Sequence, residues 1–172
     1  MDYALHTGDS TAPRSDFVLP VVAVLDRLRS AYNTGNVFRV VDAVRAEGIA
    51  ACGYTPCPPH EKLAKTARGC DEFVKCEHFE DAASAVDELH HRGYKVYAVD
   101  TIENAQNYYE CKLQFPCAFV FGNEALGISE EAIARCDGAV CLPACGIKNS
   151  INVGNCAAVV LFEALKQFRA KP

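Results

Sequence analysis

Short apolar runs separated by amphipathic segments are the feature that most restricts how this 172-residue chain can fold. The first run, residues 19–25, is continuous and rich in valine, as is typical of a strand buried on both faces of a parallel sheet. The next segment, residues 36–47, carries valines at spacings of three and four and predicts a helix that ends before Gly48. Because this alternation continues along the chain, it predicts an α/β fold with a mostly parallel sheet flanked by helices.

The remaining elements follow from the same two periodicities. Further strands are predicted at residues 49–54, 72–75, 94–100, 117–121 and 138–142, and further helices at 60–67, 82–91, 129–135 and 151–168. Residues 101–115 are polar and predict a loop. Residues 1–18 are expected to form an N-terminal extension and residues 19–172 a single domain, since a chain of this length suits one hydrophobic core.

Hydropathy and cysteine usage exclude several classes of protein. Every apolar stretch is interrupted before about 18 residues, so no secretory signal or membrane span is predicted and a cytoplasmic location is expected. The ten cysteines contain no C-x-x-C pair, and several lie inside apolar runs, where a thiol acts as a small hydrophobe; reduced thiols are therefore predicted. The five histidines show no zinc-binding spacing, so no metal is expected.

The formal net charge of −5 is unevenly distributed along the chain. Residues 71–130 hold 12 Asp/Glu against 4 Lys/Arg, whereas residues 1–70 hold 7 against 8 and residues 131–172 hold 3 against 5. Phosphate contacts usually supply much of the affinity for nucleic acid, so the overall charge does not favour an RNA-binding protein. Because both ends of the chain are near neutral or slightly basic, it does not exclude one either.

Three segments rich in glycine and small polar residues are candidates for a ligand site: 33–36, 122–127 and 143–152. Each is interpreted as a loop between an apolar run and a helix, and open parallel sheets bind ligands in the loops beyond the carboxyl ends of their strands. The standard nucleotide motifs are absent, because no G-x-G-x-x-G follows a strand and Ile128-Ser129 replaces the Lys-Ser/Thr of a phosphate loop. Taken singly, the segments indicate a polar ligand and no particular chemistry.

Taken together, these segments resemble the three motifs of the SpoU/TrmH family of RNA 2′-O-ribose methyltransferases, in that family's order. The first is N-T-G-N-V-F-R (33–39), the second F-V-F-G-N-E-A-L-G-I-S (119–129) and the third L-P-A-C-G-I-K-N-S-I-N-V-G-N-C-A-A (142–158). The resemblance covers residues 19–168. It departs from the family pattern at Gly154-Asn155, where many members have serine or another small residue, and in having no separate RNA-binding domain before residue 19, as in minimal members.

The resemblance implies methyl transfer from S-adenosylmethionine to a ribose 2′-hydroxyl of tRNA or rRNA by an enzyme without a metal. The acidic middle of the chain and the expected lack of an appended RNA-binding domain favour tRNA over rRNA. It also implies a deep trefoil knot in the C-terminal third of the fold and a homodimer whose sites lie near the subunit interface. No DNA or membrane partner is expected. Two alternatives stay open: a knotted dimer that binds RNA or assists ribosome assembly without catalysis, and methylation of an RNA base.

The family's catalytic positions correspond to Arg39, Glu124, Ser150 and Asn152, and its RNA-binding positions to Asn33 and Arg39. Because a guanidinium stays protonated in proteins, Arg39 is expected to hold the 2′-hydroxyl and a neighbouring phosphate rather than to accept a proton. Glu124 is expected to orient Arg39 through a charge-assisted hydrogen bond. On the residues alone, Arg39 could be a solvent-facing helix residue and Glu124 a carboxylate at a helix N-terminus. Asn33 could equally form a turn, and Ser150 or Asn152 could equally cap a helix.

Four further positions match those at which the family holds S-adenosylmethionine: Val99, Gly122, Leu142 and Ile151. Family members bind this co-substrate largely through backbone groups, so the side chains at these positions are weakly constrained. Small or apolar residues suit the walls around an adenine ring. Leu142 and Ile151 could equally be core residues, because a backbone contact and a buried side chain are compatible.

Overall fold

One seven-stranded sheet organises the computed structural model, which describes residues 16–170. Its strands are β1 (Leu19–Asp26), β2 (Ala46–Cys52), β3 (Cys76–Phe79), β4 (Lys95–Val99), β5 (Gln106–Asn107), β6 (Cys117–Phe121) and β7 (Gly138–Cys141). The helices are α1 (Ala31–Val44), α2 (Glu61–Ala67), α3 (Ala82–His91), α4 (Glu130–Ile133) and α5 (Val153–Arg169). The strand order is β3-β2-β1-β6-β4-β7-β5, with parallel neighbours throughout residues 16–170. The predicted α/β fold with a mostly parallel, helix-flanked sheet is confirmed.

The core lies on both faces of this sheet. On one face, Phe38 of α1 and Leu161 of α5 are buried in the same cluster as Phe119 of β6. On the other face, Val86 of α3 is buried in a cluster with Val120 of the same strand. Neighbouring strand residues point to opposite faces, and both faces are covered, which explains why the strands read as continuous apolar runs.

Helix α1 begins at Ala31, five residues before the start that valine spacing predicts. Ser30 caps it, because its hydroxyl oxygen accepts a hydrogen bond from the N–H of Asn33 at 3.3 Å. Segment 33–36 therefore lies in the first turns of a helix. The loop predicted there, and the interpretation of Asn33 as a turn residue, are wrong. Ser30 is the signal in the sequence that could have placed the boundary correctly.

The short elements differ most from the sequence-based expectation. The strand predicted at 72–75 is wrong: Cys70–Glu72 form a single 3-10 turn after Gly69, whose φ of 85° only glycine adopts readily, and β3 starts at Cys76. The loop predicted at 101–115 contains β5, a two-residue strand that pairs with β7. Two residues are too few to show a periodicity.

The predicted N-terminal extension, residues 1–18, lies largely outside the described residues, and the single domain at 19–172 stays a prediction. All ten cysteines carry free thiols, as their sequence settings predict. None of the helices between residues 16 and 170 has the length and apolar character needed to span a bilayer.

Candidate functional site

A cavity of about 590 Å³ opens at the carboxyl ends of β4, β6 and β7, where the sequence places a ligand site. Its size is typical of sites for small organic ligands. Apolar side chains such as Val99, Leu142 and Val159 form part of its wall, and Asp100 and Asn123 contribute polar groups. The remaining lining comes mainly from the loops after these strands and from the start of α5.

All four positions predicted to hold S-adenosylmethionine line this cavity: Val99, Gly122, Leu142 and Ile151. Val99 ends β4 and is almost fully buried, whereas the Ile151 side chain is largely exposed at the cavity wall. Gly122 directly follows β6, and a Cβ atom added there would clash with the carbonyl carbon of Gly127. Glycine is therefore required at 122 for the loop 122–127 to fold back closely on itself.

A chain of side-chain hydrogen bonds joins the three segments that resemble the family motifs. Asn152 Nδ2 donates to Asn33 Oδ1 at 3.0 Å, and Asn33 Nδ2 donates to Glu124 Oε1 at 2.8 Å. Glu124 and Asn152 line the cavity, so the chain runs along its edge. Asn33 is 91 positions from Glu124 and 119 positions from Asn152 in the sequence. Two side-chain amides and one carboxylate thus fix these distant segments relative to one another.

Glu124 is bound at the N-terminus of α1 rather than to Arg39. Its two carboxylate oxygens accept the N–H groups of Arg29 at 3.1 Å and Ser30 at 3.3 Å. Burial alone would raise the pKa of Glu124, but the hydrogen bonds from Asn33, Arg29 and Ser30 outweigh it and hold the pKa below its usual value. Glu124 is therefore ionised at neutral pH, and the expected hydrogen bond to Arg39 is wrong within one chain.

Arg39 lies on the exposed surface of α1 and does not contribute to the cavity wall. It follows Asn33 by six residues, which is about 9 Å along a helix axis. Its guanidinium makes no hydrogen bond or ion pair with any residue in the range 16–170. One chain therefore brings Asn33, Glu124 and Asn152 together and leaves Arg39 apart from them.

Ser150 and Asn152 occupy the loop that leads into α5. Ser150 is exposed and lines the cavity, with no hydrogen bond to the described part of the chain. Asn152 caps α5, since its Oδ1 accepts the N–H of Gly154 at 2.9 Å while its Nδ2 reaches Asn33. A Cβ at Gly154 would meet the side-chain amide of Asn36, so Asn36 of α1 lies close to the start of α5.

Asn123 is a site residue that sequence reasoning did not single out. It is only 4% exposed and uses both ends of its amide. Its Nδ2 donates to the carbonyl of Arg27 at 2.6 Å and to the Tyr54 hydroxyl at 3.0 Å. Its Oδ1 accepts the N–H groups of Ala125 and Leu126 at 2.8 and 3.0 Å. Its position directly after Gly122, in a loop already predicted to bind a ligand, was the signal in the sequence that could have identified Asn123.

Asp26 is the second residue that was missed. This carboxylate is 1% exposed at the end of β1, and it accepts the N–H of Ser129 at 2.7 Å and Arg27 Nε at 2.7 Å. A buried charge that is paired and hydrogen-bonded on both oxygens is costly to disturb. An acidic residue directly after an apolar strand was the signal that could have found it.

Metal chemistry finds no support in the described residues. No group of three or more His, Cys, Asp or Glu side chains within residues 16–170 could hold an ion. Cys156 lines the cavity, and burial raises the pKa of its thiol to about 12, so it is protonated there. The cavity thus presents apolar walls, amides and carboxylates.

Comparison with known proteins identifies the family to which this chain is similar. The model of the SpoU rRNA Methylase family matches residues 20–162. The tRNA (guanosine(18)-2'-O)-methyltransferase of Thermus thermophilus is 33% identical over 147 residues, covering 86% of this chain and 75% of the relative. The 23S rRNA (guanosine-2'-O-)-methyltransferase RlmB of Ralstonia nicotianae is 32% identical over 154 residues, covering 89% of this chain and 61% of the relative.

Solved structures share the fold. The SpoU methyltransferase AviRb from Streptomyces viridochromogenes, in complex with the cofactor AdoMet, superposes with a TM-score of 0.80 and 23% identity, over 93% of this chain and 61% of that one. The chain belongs to the SpoU methylase family, which confirms the family that the three motifs predicted. The predicted enzyme class, an RNA 2′-O-methyltransferase, is confirmed with it.

Proposed function

We propose that this protein transfers the methyl group of S-adenosylmethionine to the ribose 2′-hydroxyl of a nucleotide in tRNA. The hydrogen-bonded chain Asn152–Asn33–Glu124 carries this proposal, because it joins all three family motifs beside one ligand-sized cavity. The Thermus relative, named as a tRNA methyltransferase, favours tRNA over rRNA. The ten free thiols favour a location in the reducing cytoplasm.

The cavity fits S-adenosylmethionine in size and in chemistry. Val99, Leu142 and Ile151 supply small and apolar walls for the adenine ring, with backbone groups at its edge. The carboxylate of Asp100, also in the wall, suits the positive charge of the ligand. When bound, S-adenosylmethionine would supply a sulfonium methyl: the bond to the 2′-oxygen would form as the carbon–sulfur bond breaks, leaving the neutral thioether S-adenosylhomocysteine, and the hydroxyl proton would pass to solvent water.

The chain's own side chains position the ribose. Arg39 holds the 2′-hydroxyl and a neighbouring phosphate and stabilises negative charge on the reacting oxygen, a role that a permanently charged guanidinium can fill. Ser150 offers an exposed hydroxyl at the cavity wall as a further contact. Asn33, Asn152 and Glu124 keep the two motif loops and the start of α1 in register, which holds the site in one geometry.

The position of Arg39 supports a homodimer in which each subunit supplies this residue to its partner's cavity. Arg39 is exposed and outside the cavity of its own chain. Mixing two inactive variants, Arg39→Ala and Asn152→Ala, tests the arrangement. Random exchange of subunits restores about a quarter of the wild-type activity if the sites are shared, because half the dimers then hold one complete site. No recovery after verified exchange would contradict it.

The deep trefoil knot of the family is proposed for the C-terminal third of the fold. In support, β6 lies between β1 and β4 although β4 precedes it in sequence. After β7, helix α5 returns across the sheet to pack on α1 and β1. A crystal structure traced from residue 95 to residue 170 tests this, and an unthreaded path would contradict it.

The decisive experiment incubates the protein with methyl-labelled S-adenosylmethionine and total RNA from a strain that lacks the gene. A 2′-O-methyl group blocks alkaline cleavage of the adjacent phosphodiester, so label in alkali-resistant dinucleotides from the tRNA fraction is expected. Label in rRNA would identify rRNA, rather than tRNA, as the substrate. Label on alkali-sensitive mononucleotides would mean that a base is methylated. Co-substrate binding without transfer to any RNA would indicate a non-catalytic RNA-binding dimer.

A further inference from the structure

We infer that Arg27, Arg29, Tyr32 and Tyr54 form a rim beside the cavity that binds RNA nucleotides flanking the methylated ribose. This inference rests on the proposed function, since it assigns the surface that guides RNA to the same site. The rim combines exposed aromatic rings with guanidinium groups. That combination suits single-stranded RNA, whose bases stack on aromatic side chains and whose phosphates pair with arginine.

Hydrogen bonds fix the rim next to the cavity. Asn123, a cavity residue, donates from Nδ2 to the carbonyl of Arg27 and to the hydroxyl of Tyr54. Behind them, the buried hydroxyl of Thr55 accepts the N–H of Leu28 at 2.9 Å. The loops after β1 and β2 are therefore held to each other and to the loop 122–127. An RNA bound on the rim lies within reach of the cavity mouth.

The two tyrosines are exposed in a way that leaves their rings available. Tyr54 is 56% exposed even though Asn123 anchors its hydroxyl, so its orientation is fixed while its ring meets solvent. Tyr32 is 72% exposed in the first turn of α1, directly before Asn33. Tyr54 is thus a fixed stacking surface, and Tyr32 adds an exposed ring on which a second base can stack.

The two arginines leave charge available for phosphate. Arg27 donates from Nε and Nη2 to the buried Asp26, which raises the pKa of Arg27 and directs the rest of the guanidinium outward. Its Nη1 makes no hydrogen bond with the described residues. The Arg29 side chain is exposed and makes no hydrogen bond with the described residues, while the backbone N–H of Arg29 donates to Glu124. Arg27 thus offers the remaining edge of a fixed guanidinium and Arg29 an exposed one, and either can pair with a phosphate.

The charge around the rim also favours RNA. Residues 27–68, which contain the rim, hold seven Lys/Arg against three Asp/Glu. Helix α2 packs on α1 through a hydrogen bond from Thr66 Oγ1 to the carbonyl of Ala31, and it exposes Lys62 and Lys65. Three carboxylates lie nearby: buried Asp26 pairs with Arg27, Glu131 lies close enough to Arg27 to raise its pKa, and Glu124 is engaged with three donors. Arg29, Lys62 and Lys65 make no ion pair with the described residues. A polyanion is thus the occupant that fits.

Substitutions at Tyr54 test the stacking role. Tyr54→Ala removes the ring and is expected to weaken binding of total tRNA, taken from a strain lacking the gene, by about 5- to 100-fold. Tyr54→Phe keeps the ring and is expected to keep most of the RNA affinity. Phe73→Ala removes an exposed aromatic ring elsewhere and serves as the matched control. Affinity for S-adenosylmethionine, measured without RNA, is expected to stay the same in Tyr54→Ala.

Removing one charge tests the phosphate contact. Arg29→Gln is expected to reduce the slope of log affinity against log salt by about 0.7–0.9, the value for one phosphate. Lys112→Gln removes an exposed charge in the segment that leads into the opposite, amino end of β6 and is expected to leave the slope unchanged.

The outcomes separate this inference from the proposed function. If the wild-type protein methylates tRNA but Tyr54→Ala and Arg29→Gln bind it as wild type does, the rim is not an RNA surface. If Tyr54→Ala instead dissociates a dimer, a second copy covers the rim, and the inference is overturned. If the wild-type protein transfers no methyl group to any RNA, the proposed function fails, whatever the variants bind.

Discussion

The two sides of the site are built in different ways. The side proposed to hold the co-substrate, called the cofactor side here, is formed by the loops after β4, β6 and β7 and offers a concave wall of apolar side chains and backbone groups. The side proposed to bind RNA, called the RNA side, is formed by the loops after β1 and β2 and exposes two arginines and two tyrosines, of which Arg27 and Tyr54 are held by hydrogen bonds from buried partners. Changes on the cofactor side therefore act through shape, and changes on the RNA side act through charge and orientation.

The charge of the chain divides in a related way. Residues 27–68 hold seven Lys/Arg against three Asp/Glu, whereas residues 71–130 hold 4 against 12. Part of that acidity is used in ion pairs: Arg92 pairs with Glu77 and Glu88, and Arg135 pairs with Asp87. The net charge of −5 is thus a poor guide to the local charge of the surface proposed to bind RNA.

The largest effect on activity is expected from Arg39→Ala, which removes charge without touching the cofactor side. The rate of methyl transfer at saturating substrates falls about 100- to 1,000-fold, as for loss of one group that stabilises a developing oxyanion. Because Arg39 is exposed and outside the cavity of its own chain, the free energy of unfolding changes by less than about 0.5 kcal/mol. Affinity for S-adenosylmethionine stays the same, because the proposed contacts of Arg39 are to the ribose and phosphate of the RNA. Transfer assays, calorimetry and urea unfolding measure the three quantities; full activity in the variant would refute the assignment.

Asn123→Ala is expected to damage both sides, because this amide joins them. The substitution removes the two hydrogen bonds that Nδ2 donates and the two that Oδ1 accepts. Because the Asn123 side chain is buried, this loss lowers the free energy of unfolding by about 2–4 kcal/mol. Asn123→Asp keeps the acceptor for Ala125 and Leu126 and loses the donors to Arg27 and Tyr54. It should therefore weaken RNA binding more than S-adenosylmethionine binding, and equal losses would show that the two sides are not separable.

The sequence predicts the cofactor side better than the RNA side. Parallel strands bring their carboxyl ends to one edge, so the strand ends predict that segments 122–127 and 143–152 lie together, and the family resemblance adds Val99 and Leu142, which line the same cavity. The partner of Glu124 could not be predicted in this way. It depends on where Ser30 starts α1, and on a contact between segments 91 positions apart in the sequence.

Gly122→Ala is expected to act through shape alone. The added methyl group clashes with the backbone of Gly127 and costs about 1–3 kcal/mol in the free energy of unfolding. The shifted loop also lowers affinity for S-adenosylmethionine. Gly138→Ala is the matched control, because its Cβ would meet Tyr97 only at an ordinary 3.5 Å. Thermal unfolding with and without the co-substrate checks both effects, and wild-type behaviour of Gly122→Ala would contradict the close fold of the loop.

The smallest effect, and the one that depends on pH, is expected from Glu124→Gln. At neutral pH the glutamine keeps one acceptor oxygen but turns its amide NH2 group towards one of the N–H donors, and it loses the negative charge at the start of α1, so the variant loses about 1 kcal/mol of stability. The pKa of Glu124 in the folded chain lies below its ordinary value of 4.5, so its ionised form contributes stability above that value and loses it as the pH falls through the folded pKa.

The difference in unfolding free energy between wild type and Glu124→Gln should therefore shrink when urea unfolding is repeated at about pH 3.5 instead of about pH 7. Asp16→Asn, at an exposed carboxyl with no hydrogen bond to the described residues, controls for the general effect of acid. A constant difference would mean that Glu124 holds the start of α1 by its shape alone. The contact between loop 122–127 and the start of α1 would then not depend on the charge of Glu124.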